Sequence, residues 1–313
     1  MAQISKRLVV KKEIPMDFSK DLICDNLSVV DGVLHFAGQN TAALAQQYGT
    51  PLYLMDEDRI RNRVAVYRDT LRECFGDKGH ALYASKACSF KRMYTIMAEE
   101  GLGVDVVSAG EMATARAAGF PMEHVYFHSN NKTDADIAYA MDRGVGTFVV
   151  DHPEELTAIN AIAGEKGIVQ SVMLRITPGI DCHTYEAVNT GKVDSKFGSA
   201  IVTGDASRIT KQALDAANVK LVGFHCHIGS QIFDHAPFCD AAVMMLEFLA
   251  DMKTKYGFTW NEQYESLLKT ASVYLNETQV RVSMNTGKWV MMDIYPVLKD
   301  PSDLSYREYF IEN

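Results

Sequence analysis

The sequence predicts an α/β fold of the (β/α)8, TIM-barrel type, with a small β-rich segment at its start. Two observations carry this. The first is repetition: apolar, strand-like runs centred near Tyr83, Val106, Tyr126, Val149 and Leu174 recur every 20–25 residues with helical segments between them. That spacing suits parallel strands joined by crossover helices. The second is the chemistry at the strand tips. Lys86, Asp105 and Ser108, His128 to Lys132, Asp151, Arg175 to Asp181, and His225 to Ser230 all stand at or near the C-terminal end of a run. A closed barrel distributes its reactive side chains around that rim. An open doubly wound sheet gathers them at one switch point, usually after an early glycine-rich turn. Neither G-x-G-x-x-G nor a Walker sequence occurs here. Six barrel strands are visible between Lys86 and Ser230, and an eight-stranded barrel takes two more.

Each element has its own signal. Residues 1–36 hold short apolar pieces, Leu8–Val10, Leu27–Val30 and Val33–Phe36, the last two separated by the turn pair Asp31-Gly32. Thr41–Tyr48 is a helix stopped by Gly49. Pro51–Met55 reads as a strand, and Asp56–Cys74 as a helix with apolar residues at Ile60, Val64, Val66, Tyr67 and Leu71. Ser89 is placed to cap Phe90–Glu100. Ser108 and Glu111 have capping-box spacing, as do Asp151 and Glu154, and Thr133 can cap the helix between them. Leu174 and Phe224 lie two repeat units apart, and the polar stretch Thr177–Gly198 between them reads as a long functional loop. Leu221–Ile228 is the next strand, and Ala236–Tyr256 a helix ended by Gly257. The division predicted is a lead-in at 1–36, the barrel at 37–258, and a tail at 259–313 with a helix at Asn261–Leu268 and a hairpin. Val280–Met284 forms one arm, Asn285–Lys288 the turn, and Trp289–Tyr295 the returning arm.

Composition narrows the function. With 313 residues and 47% apolar content, the chain can bury a sizeable core. A net charge of −9 without a basic block argues against nucleic acid and anionic membranes as partners. Met1–Asp17 is basic but lacks a continuous apolar stretch, so no secretory leader is expected. No apolar run approaches the ~18 residues of a spanning helix. The six cysteines form no C-x-x-C pair, which suits reduced thiols in the cytoplasm.

Lys86 closes the apolar stretch Ala81–Ala87. Apolar surroundings favour a neutral, nucleophilic amine; a solvated lysine at a strand end is the plainer reading. His225 and His227 share one face of a strand and could bind a metal, with His128, Asp151 and His152 as further ligands, as in metal-dependent barrel hydrolases. Equally, one imidazole can pack while the other hydrogen-bonds. Gly229-Ser230 offers backbone N–H groups and a hydroxyl to a phosphate. Ser129-x-x-Lys132 has the spacing of serine–lysine acylases, but without their companion motifs. Asp105 suits a hydrogen-bonded strand end. Arg175, near the barrel interior, requires an anionic partner or a carboxylate if buried.

Six motifs in order carry a resemblance. Tyr83-Ala-Ser-Lys86-Ala87, Asp105-Val-Val-Ser-Ala-Gly-Glu111, His128-Ser-Asn-Asn-Lys132, Arg175-Ile-Thr-Pro-Gly-Ile-Asp181, Asp194-Ser-Lys-Phe-Gly198 and His225-Cys-His-Ile-Gly-Ser-Gln231 resemble those of diaminopimelate decarboxylases. These are pyridoxal-phosphate enzymes of the alanine-racemase-like barrel group, and the resemblance runs over about residues 30–258. It implies pyridoxal 5'-phosphate as cofactor, with Lys86 as its imine-forming lysine, His227 stacked on its ring, and Ser230 with Gly229 at its phosphate. Asp105 and Arg175 would line the same pocket. It further implies decarboxylation of the small amino acid meso-diaminopimelate to lysine in the cytoplasm, by a homodimer. The resemblance stops past Gly257. The family's Gly-Gly-Gly loop, Glu-Pro-Gly-Arg and Cys-Glu-Ser-Gly-Asp do not occur in this sequence. A non-catalytic relative that binds the cofactor or a partner subunit is the alternative from that class.

Overall fold

The computed structural model describes residues 24–75, 79–180, 196–230, 232, 236–257 and 289–292. The chain divides into two compact units between Asn62 and Arg63.

In the first unit, β1 (Leu27–Val30) and β2 (Val33–Phe36) form an antiparallel hairpin, and β3 (Gln39–Asn40) adds to β2. The turn works because Asp31 and Gly32 both take positive φ, 50° and 76°. That is the mirror-image turn whose twist matches the flanking strands. Helix α1 (Thr41–Tyr48) starts where the Asn40 side chain accepts from the Ala43 N–H, and stops at Gly49. Pro51–Met55 corrects a sequence expectation: among the described residues it has no ladder partner and is not a strand. Its burial alternates, but Tyr53 is 94% exposed, so no described residue covers that face. Helix α2 covers Glu57–Phe75.

The second unit is a parallel sheet wrapped on one face by helices. In chain order its strands are β4 (Leu82–Ala84), β5 (Gly103–Val106), β6 (Val125–Phe127), β7 (Thr147–Val150), β8 (Gln170–Thr177), β9 (Ser199–Ala200), β10 (Val219–Cys226) and β11 (Trp289–Met292). The helices are α3 (Lys91–Glu99), α4 (Ala109–Ala117), α5 (Asp134–Met141), α6 (Pro153–Glu165), α7 (Asp205–Asp215) and α8 (Ala236–Tyr256). Strands β4 to β8 pair in sequence, β10 joins β8, β11 joins β10, and β9 pairs with the end of β8. Among the described residues β4 and β11 end this path.

Strand alternation sorts the two faces. Val104, Val106, Phe127, Phe148, Val150, Val172, Leu174 and Phe224 point to the helix side and are almost fully buried. Phe127 meets Phe148 edge-on at 5.5 Å, and Phe224 meets Phe248 of α8 at 5.1 Å. Burying such a side chain contributes roughly 1.5–3 kcal/mol. On the other face Tyr126 packs on Val149, Met173 and Val222. Along the same rows, towards the strand tips, lie Asp105, His128, Asp151, Arg175 and His225.

Four further expectations change. Phe90, not Ser89, precedes α3, and no side chain caps it. His152, not Asp151, caps α6, because Pro153 takes the first helical position and Asp151 is drawn to Arg175. The double-length gap after Leu174 contains β9 and α7, and residues 181–195 of the expected loop lie outside the described residues. Trp289–Met292, expected as the returning arm of a hairpin, lies parallel to β10 with Trp289 opposite Gly223. The other hairpin arm and Asn261–Leu268 lie outside the described residues, as do Leu8–Val10, Asp181, Asp194 and Gln231. No helix among the described residues is long and apolar enough to cross a membrane.

Candidate active site

Sheet register gathers the polar tips. Arg175 stands opposite His225, and Val150, one residue before Asp151, stands opposite Leu174. Arg175 Nη1 donates to Asp151 Oδ1 at 3.2 Å, with the two side chains 13% and 6% exposed. Asp151 is thus the carboxylate that a buried Arg175 requires. The guanidinium also lies over the Phe197 ring, 4.4 Å from its centre. Phe197 is held there because Thr177 Oγ1 donates to its carbonyl at 2.7 Å and Gly198 turns the chain into β9. Gly198 has φ +69°, and a Cβ there would come within 2.9 Å of the Arg175 carbonyl. A side chain would press directly on the arginine.

His128 follows β6 and extends the ladder, its N–H donating to the Val106 carbonyl at 2.8 Å. Its imidazole meets that of His225 edge-on at 4.6 Å, and its Nε2 lies 4.0 Å from Asp105 Oδ2. His225 is buried and His227 half-buried two residues on. Gly229 takes φ +143°, open in practice only to glycine, and Ser230 follows it.

Lys86 lies in the single 3-10 turn Ser85–Ala87 after β4. The amine expected to be partly withdrawn from water is exposed. The apolar stretch buries Ser85 instead, and β4, an end strand among the described residues, leaves the next side chain uncovered. The turn is anchored from below. Ser85 Oγ donates to Glu111 Oε2 at 2.9 Å, and the Val107 N–H donates to the same oxygen at 2.6 Å. Ser108 caps α4 as predicted, accepting from the Glu111 N–H, while the Glu111 carboxylate reaches across to β4 instead of closing a capping box. Tyr83, in β4, donates to the Cys88 carbonyl at 3.0 Å, and burial, above all, pushes its phenol up to about 12.

The Ser129-x-x-Lys132 spacing does not make an acylase pair. Lys132 Nζ donates to the carbonyls of Ser129 and Val149, at 2.8 and 2.7 Å, and pairs with Glu155 Oε1 at 2.7 Å. Two carbonyls and one carboxylate thus surround the ammonium, and none of these is the Ser129 hydroxyl, which accepts from the Asn131 N–H. Burial pushes the Lys132 ammonium below its ordinary range, against the pull of Glu155. Nor do the histidines form a metal centre: among the described residues no three His, Cys, Asp or Glu side chains gather as ligands.

The sequence picked out Lys86, Asp105, Arg175, His227, Gly229 and Ser230. The structure brings Arg175 into register with His225, and Asp105 beside His128. Sequence reasoning missed the contact of His128 with His225, and the anchoring roles of Glu111 and Glu155. Strand-tip position signalled His128; nothing in spacing alone distinguishes a carboxylate that caps from one that reaches to a neighbouring strand.

Residues 57–263 match the family described as pyridoxal-dependent decarboxylase, pyridoxal binding domain. Over 227 residues the chain is 43% identical to a diaminopimelate decarboxylase of Bacillus methanolicus, a match covering 72% of this chain and 52% of that protein. Identity to the Bacillus subtilis (strain 168) diaminopimelate decarboxylase is 41%, with the same coverage. A crystal structure of diaminopimelate decarboxylase from M. jannaschii in co-complex with L-lysine aligns with a TM-score of 0.68 at 33% identity, covering 75% of this chain and 54% of that one. The chain spans about half the length of the curated relatives it matches. These matches agree with the α/β barrel class read from the strand tips.

Proposed function

From the premise that the chain belongs to the pyridoxal-dependent decarboxylases, through their pyridoxal-binding domain, we propose that it binds pyridoxal 5'-phosphate at the strand tips and serves the decarboxylation of meso-diaminopimelate to lysine. The observation that carries this is the set of polar side chains at the strand tips, on the sheet face opposite the described helices. An exposed amine stands at one end, and imidazoles, a carboxylate and an anchored guanidinium follow across the strands. These donor types fit an aromatic aldehyde bearing a phosphate: an amine for the carbonyl, planar rings for the aromatic face, N–H groups for the phosphate.

Bound there, the cofactor supplies a carbonyl that captures amines and a ring that spreads the electron pair left by a departing carboxylate. Lys86, exposed at the strand tip, would hold the cofactor through Nζ and leaves that amine open to the substrate's approach. His227 would lie against the ring, and the backbone at Gly229 with the Ser230 hydroxyl would hold the phosphate. Asp105 lines the pocket beside His128. Arg175, oriented by Asp151, would face an anionic group of the cofactor or substrate. A cytoplasmic setting and a pairing of two copies belong to the same proposal and rest on the family.

The test is covalent. Pyridoxal phosphate is added, the mixture is reduced with borohydride, and peptides are mapped. The label is expected on Lys86, and carbon dioxide release from diaminopimelate reports turnover. Label on another residue, or on none, overturns the assignment. Label without carbon dioxide keeps the binding site and removes the activity.

A further inference from the structure

The most heavily anchored group near the site is an ion pair that touches none of the proposed ligand positions. Lys132 and Glu155 face each other at 2.7 Å with both side chains fully buried. Such a pair is costly to desolvate, and an apolar pair of similar volume often gives equal or greater stability. What the pair does geometrically is more specific. Lys132 Nζ holds the Ser129 carbonyl at the tip of β6 and the Val149 carbonyl of β7. Ser129 has φ +127°, a conformation that a non-glycine residue keeps only when its surroundings over-determine it. Its neighbour His128 makes the ring contact with His225. On the other side, Glu155 Oε2 accepts from the Asp151 N–H at 2.9 Å, and the Asp151 side chain holds Arg175.

We propose that Lys132 and Glu155 are positioning residues that tie the tips of β6 and β7 together, so that His128 and Arg175 are presented to the ligand in fixed orientation. Neither touches the reacting groups. The inference rests on the reading of the site as a cofactor pocket, but its geometric part is independent of that reading.

The test uses the full chain and the double variant Lys132→Met/Glu155→Met, which removes both charges together and keeps the volume. Two readouts are taken. One is the set of imidazole nitrogen–proton spectra of the nine histidines, assigned by single His→Gln substitutions. The other is equilibrium titration with pyridoxal phosphate. The double variant is expected to melt within a few degrees of the parent, shift the His128 and His225 signals, and bind the cofactor at least tenfold more weakly. Lys132→Arg keeps the charge but not the three-way ammonium geometry, and is expected to restore less than half of the lost affinity. Unchanged histidine spectra in the double variant overturn the proposal. So does its unfolding, because the pair would then be holding the fold and not the rim. If the parent chain binds no pyridoxal phosphate, the cofactor reading fails, and the histidine spectra still decide the positioning role.

Discussion

Asp151→Ala isolates the value of the Arg175 anchor. The substitution keeps the backbone N–H that donates to Glu155 and removes only the carboxylate that Arg175 Nη1 reaches at 3.2 Å. Breaking a fully buried pair from one side costs about 3–5 kcal/mol, because the other charge stays behind unneutralised. Here Arg175 is 13% exposed and retains its stack on Phe197, which reduces the penalty. The structure therefore leads to a loss of about 2–4 kcal/mol. Urea unfolding followed by circular dichroism reads this as a fall in midpoint of about 1–2 M for ordinary slopes. Adding Arg175→Met closes a double-mutant cycle, and the double variant is expected to recover about 1–3 kcal/mol relative to additivity. An Asp151→Ala variant within about 0.5 kcal/mol of the parent, or an additive cycle, would refute the view of Arg175 as a buried, anchored cation.

Three other outcomes follow from the same geometry. Lys86→Ala should change stability by less than about 0.5 kcal/mol, since the side chain is exposed, yet abolish the borohydride-fixed label in mass spectrometry. Gly198→Ala places a Cβ 2.9 Å from the Arg175 carbonyl at positive φ, and should cost about 1–3 kcal/mol in urea unfolding. Tyr83 has a raised folded-state pKa, so its contribution is complete below the ordinary tyrosine pKa of 10.0 and is lost as pH rises through about 12. Tyr83→Phe should flatten the fall in stability over that alkaline window and remove one late phenolate from the ultraviolet titration.

What could be read from the sequence was whatever depends on local pattern. The helix at Ala236–Tyr256 runs as expected to its terminal Gly257, and Asp31-Gly32 announced its turn. The polar strand tips pointed to one end of the sheet because parallel strands leave no other place for them. What failed depends on neighbours distant in sequence. Pro51–Met55 has the composition of a strand but no partner within reach among the described residues. Trp289–Met292 reads equally well as a hairpin arm or a parallel strand, since alternation is the same in both. Lys132 carried the spacing of a serine–lysine pair without its companion motifs, and what does occupy its ammonium, two backbone carbonyls and Glu155, has little side-chain signature. Lys86 was expected to be shielded because its neighbours are apolar, but shielding depends on which strand lies beside β4.

The two inward-reaching glutamates make the same connection twice. Glu111 and Glu155 each stand at the third position of a helix, bind the amide of the first residue after the preceding strand, and grip a side chain from the segment that follows the strand before that. Two βα modules are therefore bolted to the one ahead of them, and the sheet is tied in two couples: β4 with β5, β6 with β7. Recombination that cuts between couples preserves both bolts, whereas a crossover inside one joins a glutamate to a stranger. Chimaeras cut between the couples are therefore expected to keep more stability than those cut inside one.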